Sequence, residues 1–308
     1  MLFLLFNNGE SEKMMRLGGI EMGGTKMVCA IGNDDGEIFD RYVVPTTTPD
    51  KTINTIIDYF KGWNIVCLGV GCFGPIDLDV TSKTYGYITT TPKQGWQNID
   101  VVGYFKSLNV PIGFDTDVNA ACLGEVVYGA GKNLDSVVYG TIGTGIGFGA
   151  YIDGRLIHGL MHTETGHMLL QKHEIDKDFK GSCPYHDNCF ETLASGPSIE
   201  KRWGKKAEEL YDNDEVWKLE AYYIAQALTN CIMCYSPKRI ILGGGVMHNE
   251  KLFELIRKET LNNLNGYIKK DEIINHIDKY IVAPKLKDNA GIIGCMELGR
   301  IALNELSR

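Results

Sequence analysis

Hydrophobic and polar positions alternate in short blocks through the first hundred residues. Apolar runs over residues 16–22, 27–31 and 37–44 predict three strands, the first two joined through Gly23-Gly24-Thr25-Lys26 and the last two through the tight turn Asn33-Asp34-Asp35-Gly36. Ile53, Ile56, Ile57 and Phe60 recur at helical spacing after Pro49-Asp50, which predicts a helix ending near Gly62. A buried strand over 65–70 then delivers the chain to a glycine loop over 71–77, at a strand's C-terminal end, where open α/β sheets bind ligands. Another short strand, 110–114, passes through Asp115-Thr116-Asp117 into a helix. From this segment alone Asp115 or Asp117 reads best as an N-cap, although a carboxylate beside a helix N-terminus is also kept ionised and available as a base.

The second half repeats the device. A strand over 136–139, a glycine run over 140–147 (Gly-Thr-Ile-Gly-Thr-Gly-Ile-Gly), a strand over 148–152 and the turn Asp153-Gly154 follow the order of the N-terminal region. That order predicts an internal duplication, with a phosphate-binding loop from each half facing one cleft. Neither glycine run has the spacing of a Walker A loop or a Rossmann fingerprint. A long helical run over 214–235 is stopped by Pro237. A strand over 239–242 then meets a third glycine run, Gly243-Gly244-Gly245-Val246, which opens onto a helix from Asn249 to about Leu261 and gives backbone room for a flat ring or a phosphate. The last helix, from Ala290 to about Leu306, carries Gly291, Gly294 and Gly299, a sign of close helix packing. The loop Pro92-Lys93-Gln94-Gly95-Trp96 reads either as a wall for a small polar ligand or as a surface turn over a packed tryptophan.

Composition narrows the class. A chain of 308 residues, 44% hydrophobic and 23% charged, can bury a large core and predicts two domains. A net charge of −8 without any Lys/Arg block argues against a nucleic-acid surface and against anionic membranes. The apolar segment Met1-Leu-Phe-Leu-Leu-Phe6 is too short to span a bilayer and has no basic region before it, so residues 1–15 read as a disordered extension or an upstream start. Of nine cysteines, seven (Cys29, Cys67, Cys72, Cys122, Cys231, Cys234, Cys295) lie in apolar strands or helices of a long chain, which fits a reducing cytosol. Cys231-x-x-Cys234 has metal-like spacing but no second ligand pair nearby, and reads as packing.

The densest chemistry lies between Glu164 and Glu191. Cys183-x-x-His186-x-x-Cys189 offers two thiolates and an imidazole to one ion, a donor set that zinc prefers in tetrahedral geometry. A fourth ligand is needed: His167 is best placed, with His162, His173 and Asp187 as rivals. A Cys183–Cys189 disulfide is a weaker alternative. Core packing of these cysteines ranks between the metal and the disulfide, well below the metal because Pro184 and Asp187-Asn188 bring turn chemistry to the segment.

With these residues in hand, the chain resembles the ROK family of sugar kinases, within the actin-like ATPase superfamily, from about Arg16 to its C-terminus. The resemblance rests on Gly-Ile-Glu-Met-Gly-Gly-Thr-Lys26, Thr-Asp-Val-Asn-Ala-Ala121, Gly-Thr-Gly-Ile-Gly147, Glu164-Thr-Gly-His167, the Cys/His/Cys set and Gly-Gly-Gly-Val246, in that order. It implies an α/β, two-domain actin-like ATPase (ribonuclease H-like) fold with a cleft, residues 16–120 plus 288–308 forming the smaller domain and 121–287 the larger, zinc-bearing one. It also implies ATP and Mg2+ held by Gly23, Gly24, Thr25, Lys26, Thr144, Gly145, Gly244 and Gly245. Asp117 would be the general base. Thr116, Asp117, Glu164, His167, Glu191 and Gly95 would bind the sugar, and His167, Cys183, His186 and Cys189 would hold a structural Zn2+. Glu21 stands where Asp is commoner and Thr116 where Asn is commoner. With the Cys-x-x-His-x-x-Cys form, these resemble the fructokinase branch.

The expectation is an ATP-dependent kinase acting on the 6-hydroxyl of fructose, in the cytoplasm, as a homodimer, without nucleic-acid or membrane partners. Glucose, mannose or an N-acetylhexosamine is the alternative substrate. A sugar-sensing regulator is the reading from another class, disfavoured because the residues before the first strand are too few for a helix-turn-helix.

Overall fold

The computed structural model describes residues 15–306, so the expectation for residues 1–15 falls, apart from Met15, outside the described residues. In chain order the elements are β1 (Leu17–Met22), β2 (Lys26–Gly32), β3 (Ile38–Pro45), α1 (Pro49–Lys61), β4 (Cys67–Cys72), β5 (Tyr87–Ile88), β6 (Ile99–Asp100), α2 (Val101–Phe105), β7 (Ile112–Thr116) and α3 (Asp117–Tyr128). They continue with β8 (Val137–Ile142), β9 (Ile146–Ile152), β10 (Arg155–Leu156), α4 (Phe190–Ala194), α5 (Gly196–Trp203), α6 (Asp214–Tyr235), β11 (Arg239–Gly243), α7 (Lys251–Leu264), α8 (Asp271–Ile274), α9 (Ile277–Tyr280), β12 (Ile281–Val282) and α10 (Ala290–Glu305).

Two five-stranded sheets organise the chain, in the orders β3-β2-β1-β4-β7 and β10-β9-β8-β11-β12. In each, three consecutive strands run antiparallel and two later strands add in parallel to the first. The duplication expected from the glycine turns is therefore a duplication of sheet topology. β1 and β4 are buried along nearly their whole length, as central strands covered on both faces must be. One apolar core surrounds Ile20, Ile53, Phe60, Val70 and Trp96, and a larger one surrounds Phe148, Phe190, Tyr223, Ile240 and Ile256.

Helices α3 and α10 fill the seam between the sheets, where Ala120, Leu123, Ile292 and Met296 share a core with Leu17 and Val28. Gly294 makes their close approach possible, since a Cβ there would collide with the carbonyl oxygen of Ala120. The glycines of the last helix serve packing, as their spacing predicts. Several boundaries move from the sequence reading. β8 and β9 reach inward to Ile142 and Ile146, so the glycine run shrinks to a turn at Gly143–Gly145, and the third glycine run enters a 3-10 turn (Gly245–His248) before α7. No described helix is long and apolar enough to cross a membrane.

Candidate active site

Strand β7 and helix α3 place the central carboxylate. Thr116, not Asp115 or Asp117, is the N-cap: its Oγ1 accepts the Asn119 N–H at 3.1 Å. Asp115 is committed elsewhere, accepting from Thr116 N (2.7 Å) and Asn119 Nδ2 (2.8 Å) and pairing with His158 Nε2 at 2.8 Å. That ion pair raises the His158 pKa. Asp117 becomes the first helical residue, with the Val118 N–H donated to its Oδ1 at 2.9 Å.

Two cavities meet at this residue. One, of about 550 Å3, is lined by Thr116, Asp117, Thr144, Gly145, Glu164, His167 and Glu191, together with Phe73, Pro75 and His162. The other, of about 810 Å3, is lined by Lys26, Arg41, Gly243, Gly244 and Lys287, by the carboxylates Glu21 and Asp288, and by an apolar wall including Met247, Phe253 and Pro284. Asp117, Val118 and Thr141 face both. Burial at the junction, and secondarily the Glu21 carboxylate, lift the Asp117 pKa to about 7, against the Val118 N–H, which favours the charged form. A carboxylate titrating there is poised to accept a proton near neutral pH. Glu21 is itself raised, by burial first, with Arg41 and Lys26 opposing.

Three carboxylates and imidazoles converge on the smaller cavity. Glu191, in the first turn of α4, has Oε2 held by the Ile146 N–H at 3.0 Å. Glu164 opens the 3-10 turn Thr165–His167, and its pKa is raised by burial while His162 and His167 pull it down. Gly95 lies apart from the cavity lining, although Thr90 and Pro92 of the same segment contribute to it. Beneath that loop Trp96 is buried with its Nε1 donating to Thr47 O (2.9 Å). Gly23, Gly24, Thr25 and Gly245 lie outside both linings, next in sequence to Lys26 and Gly244, which lie inside.

His167, Cys183, His186 and Cys189 each turn one donor atom inward, all within 4.8 Å of one another. Cys183 Sγ is 3.8 Å from His167 Nδ1 and 3.6 Å from His186 Nδ1, and Cys189 Sγ is 3.6 Å from His167 Nδ1. Zinc bonds of about 2.3 Å to sulfur and about 2.0 Å to nitrogen, at the tetrahedral angle, separate unlike ligands by about 3.5 Å. The donor set therefore fits zinc in both chemistry and spacing. Both thiols are free, so no disulfide joins them. The rival ligands are engaged elsewhere: His162 binds Ile76 N and faces Glu164, and His173 accepts from Ile175 N and packs on Tyr222. Cys189 also caps α4 through the Thr192 N–H, so the cluster fixes the helix turn that carries Glu191. Of the Cys231/Cys234 pair only Cys231 packs in the core; Cys234 is exposed.

Residues 17–300 match the model of the ROK family. The chain belongs to the ROK family. A relative from Bacillus subtilis is 52% identical over 288 residues, 93% of this chain and 96% of its own length. A fructokinase of Pediococcus pentosaceus is 45% identical over 290 residues, 94% of this chain and 99% of its own. The fold of this ROK protein is that of a ROK hexokinase from Thermus thermophilus, with a TM-score of 0.78 at 23% identity over 94% of this chain and 100% of that one.

Sequence reasoning missed Arg41, Lys287 and Asp288 of the larger cavity and the His162–Glu164 and Asp115–His158 pairs. Arg41 sits in strand β3 and Lys287 opens a single 3-10 turn (Lys287–Asn289), with no spacing that ties either to the glycine turns. A histidine two residues before Glu164 was the one available signal for His162.

Proposed function

We infer that this ROK protein is an ATP-dependent sugar kinase that phosphorylates fructose at its 6-hydroxyl. Fructokinases 41–46% identical over nearly their whole length support the substrate. The observation that carries the chemistry is the position of Asp117, where a cavity of carboxylates and imidazoles meets one of cations, glycines and an apolar wall. Sugar hydroxyls suit the first, and a nucleotide's phosphates and flat base suit the second.

In this reading Thr116, Glu164, His167 and Glu191 orient the sugar, with Glu191 offering the oxygen not taken by Ile146 N. His167 would ligate zinc through Nδ1, the atom that faces the two thiols, and meet the substrate through Nε2, its tautomer then set by the metal. Lys26, Thr144, Gly145 and Gly244 hold the phosphates, with Gly23, Gly24, Thr25 and Gly245 shaping the turns beside them. Glu21 and Asp288 are oxygen donors suited to a hard divalent cation, and Mg2+ held beside them would neutralise charge on the phosphates. Asp117 accepts the 6-hydroxyl proton as the sugar oxygen bonds the γ-phosphorus and the bond to the β-phosphate oxygen breaks, leaving ADP. A zinc ion held by His167, Cys183, His186 and Cys189 would brace the pocket, and four protein ligands would leave it no position for an activated water.

The two sheets are the nuclei of the two domains, 16–120 plus 288–308 and 121–287, and a cytoplasmic homodimer completes the proposal. A coupled ADP-release assay over fructose, glucose, mannose and N-acetylhexosamines tests the substrate. Preference for any sugar but fructose overturns it, and appreciable turnover by Asp117→Asn removes Asp117 as the base. Light scattering on a sizing column tests the dimer.

A further inference from the structure

His162 is 4% exposed, lines the smaller cavity, and is not one of the four clustered metal donors. Its Nε2 accepts the Ile76 N–H at 3.1 Å, from the loop that follows β4 of the first sheet, whereas His162 itself follows β10 of the second. An accepting Nε2 leaves the ring proton on Nδ1. That atom lies 3.4 Å from Thr163 O and 3.5 Å from Glu164 Oε1, so the N–H is directed at the carbonyl and carboxylate of the two residues that follow. Gly74 seals the arrangement, because a Cβ there would lie 3.2 Å from His162 Cε1 and 3.5 Å from Glu164 Oε1.

Glu164 needs such a partner. It sits between an irregular stretch and a single 3-10 turn, and among the described residues the His162 ring, 3.5 Å from its Oε1, is the polar side chain paired with its carboxylate. We propose that His162 is a positioning residue for Glu164: one ring nitrogen anchors to the first-sheet loop, the other aims the carboxylate into the sugar cavity, and contact between the two lobes thereby sets the orientation of a sugar ligand. The inference deepens the sugar-kinase reading and rests on it.

Three variants separate the two nitrogens. Gln places an amide oxygen near the Nε2 position and keeps the Ile76 bond but leaves Glu164 without its donor; Asn does the converse; Ala removes both. In full-length, zinc-loaded protein, H162Q should raise the fructose KM about tenfold, the scale of a lost hydrogen bond to a charged group, with kcat and the ATP KM little changed. H162N should raise it less, and H162A at least as much as H162Q. On an E164Q background, H162Q should add less than about twofold, because residues acting as one unit are not additive. Calorimetric titration with fructose should show the same loss in Kd. Circular dichroism and zinc content check that each variant is folded, and H162Q, which keeps the Ile76 anchor, preserves the test if H162A does not fold. Wild-type-like fructose KM and Kd in folded H162Q, or full additivity with E164Q, overturns the proposal alone. Absence of turnover by the wild type with every hexose overturns the reading beneath it.

Discussion

Replacing Asp117 by Asn should stabilise the ligand-free protein while abolishing turnover, and the stabilisation should depend on pH in a defined direction. The Asp117 pKa rises from 3.8 to about 7, burial being the larger cause and Glu21 the second. At about 1.4 kcal/mol per pH unit, ionising this carboxyl in the fold costs about 4 kcal/mol more than in the unfolded chain. The sign follows from proton counting. A group with a raised folded-state pKa contributes nothing adverse below 3.8, where both states are protonated, and its cost accumulates as pH rises through about 7. At pH 5 about 1.5 kcal/mol of the cost has accrued, and at pH 8 essentially all of the roughly 4 kcal/mol. Asn has the shape of Asp and an Oδ1 that still accepts the Val118 N–H, so the variant loses the charge and little else. For a chain of this length the gain corresponds to about 6 °C in Tm at pH 8 and about 2 °C at pH 5. Thermal melts of both proteins at the two pH values, without ligands, measure it. A variant less stable than the wild type at pH 8, or one with equal gain at both pH values, would refute the reasoning that burial sets this pKa.

Other perturbations follow from the same geometry. Glu21→Gln removes the second cause of the Asp117 shift, so the acid limb of the kcat/KM profile should move below its wild-type midpoint near 7, whatever happens to its height; an unmoved limb removes Glu21 as a cause. Cys183→Ser deletes one metal donor, and bound zinc, Tm and fructose affinity should fall together, read by elemental analysis, melting and calorimetry; zinc loss with unchanged fructose affinity would uncouple the metal from the pocket. Gly244 has φ +91° and no room for a Cβ against Ile142, so Gly244→Ala should cost more than about 1 kcal/mol and raise the ATP KM, checked by denaturant melts and initial rates.

Much of the fold was legible because local signals agreed with tertiary demands. The Asn33–Gly36 and Asp153-Gly154 turns, the amphipathic face of α1 and the apolar runs of β1, β2 and β4 each required only a short window of sequence. Gly140 and Gly147 misled, because glycine reads as a turn signal yet each packs within a strand, under Phe148 and against Val118 respectively. The N-cap misled too: Asp115, Thr116 and Asp117 are all competent caps, but Asp115 lies within β7 and pairs with His158, 43 residues away, and Asp117 is already helical, which leaves the cap to Thr116. The metal set was legible from spacing in three members. His167 was already the preferred fourth ligand in the sequence, and the structure excludes His162 by directing its ring to Ile76 and Glu164. Long-range pairs such as these leave no periodic trace.

The duplication explains why the base stands where it does. Each sheet brings a glycine hairpin toward the cleft, and the crossover from the first copy to the second, β7 into α3, passes through the seam that α10 also fills. A side chain at the first residue of α3 therefore faces both cavities, and the helix behind it is locked to α10 by glycine contacts rather than carried by either sheet alone. The same seam packs around the carboxylate, which lines both cavities, and raises its pKa. The burial that destabilises an ionised Asp117 by about 4 kcal/mol is thus the burial that brings its proton affinity to the neutral pH at which a hydroxyl must be deprotonated. Stability is given up at a position where both copies of the fold meet, and removing the charge should restore stability only by ending the chemistry.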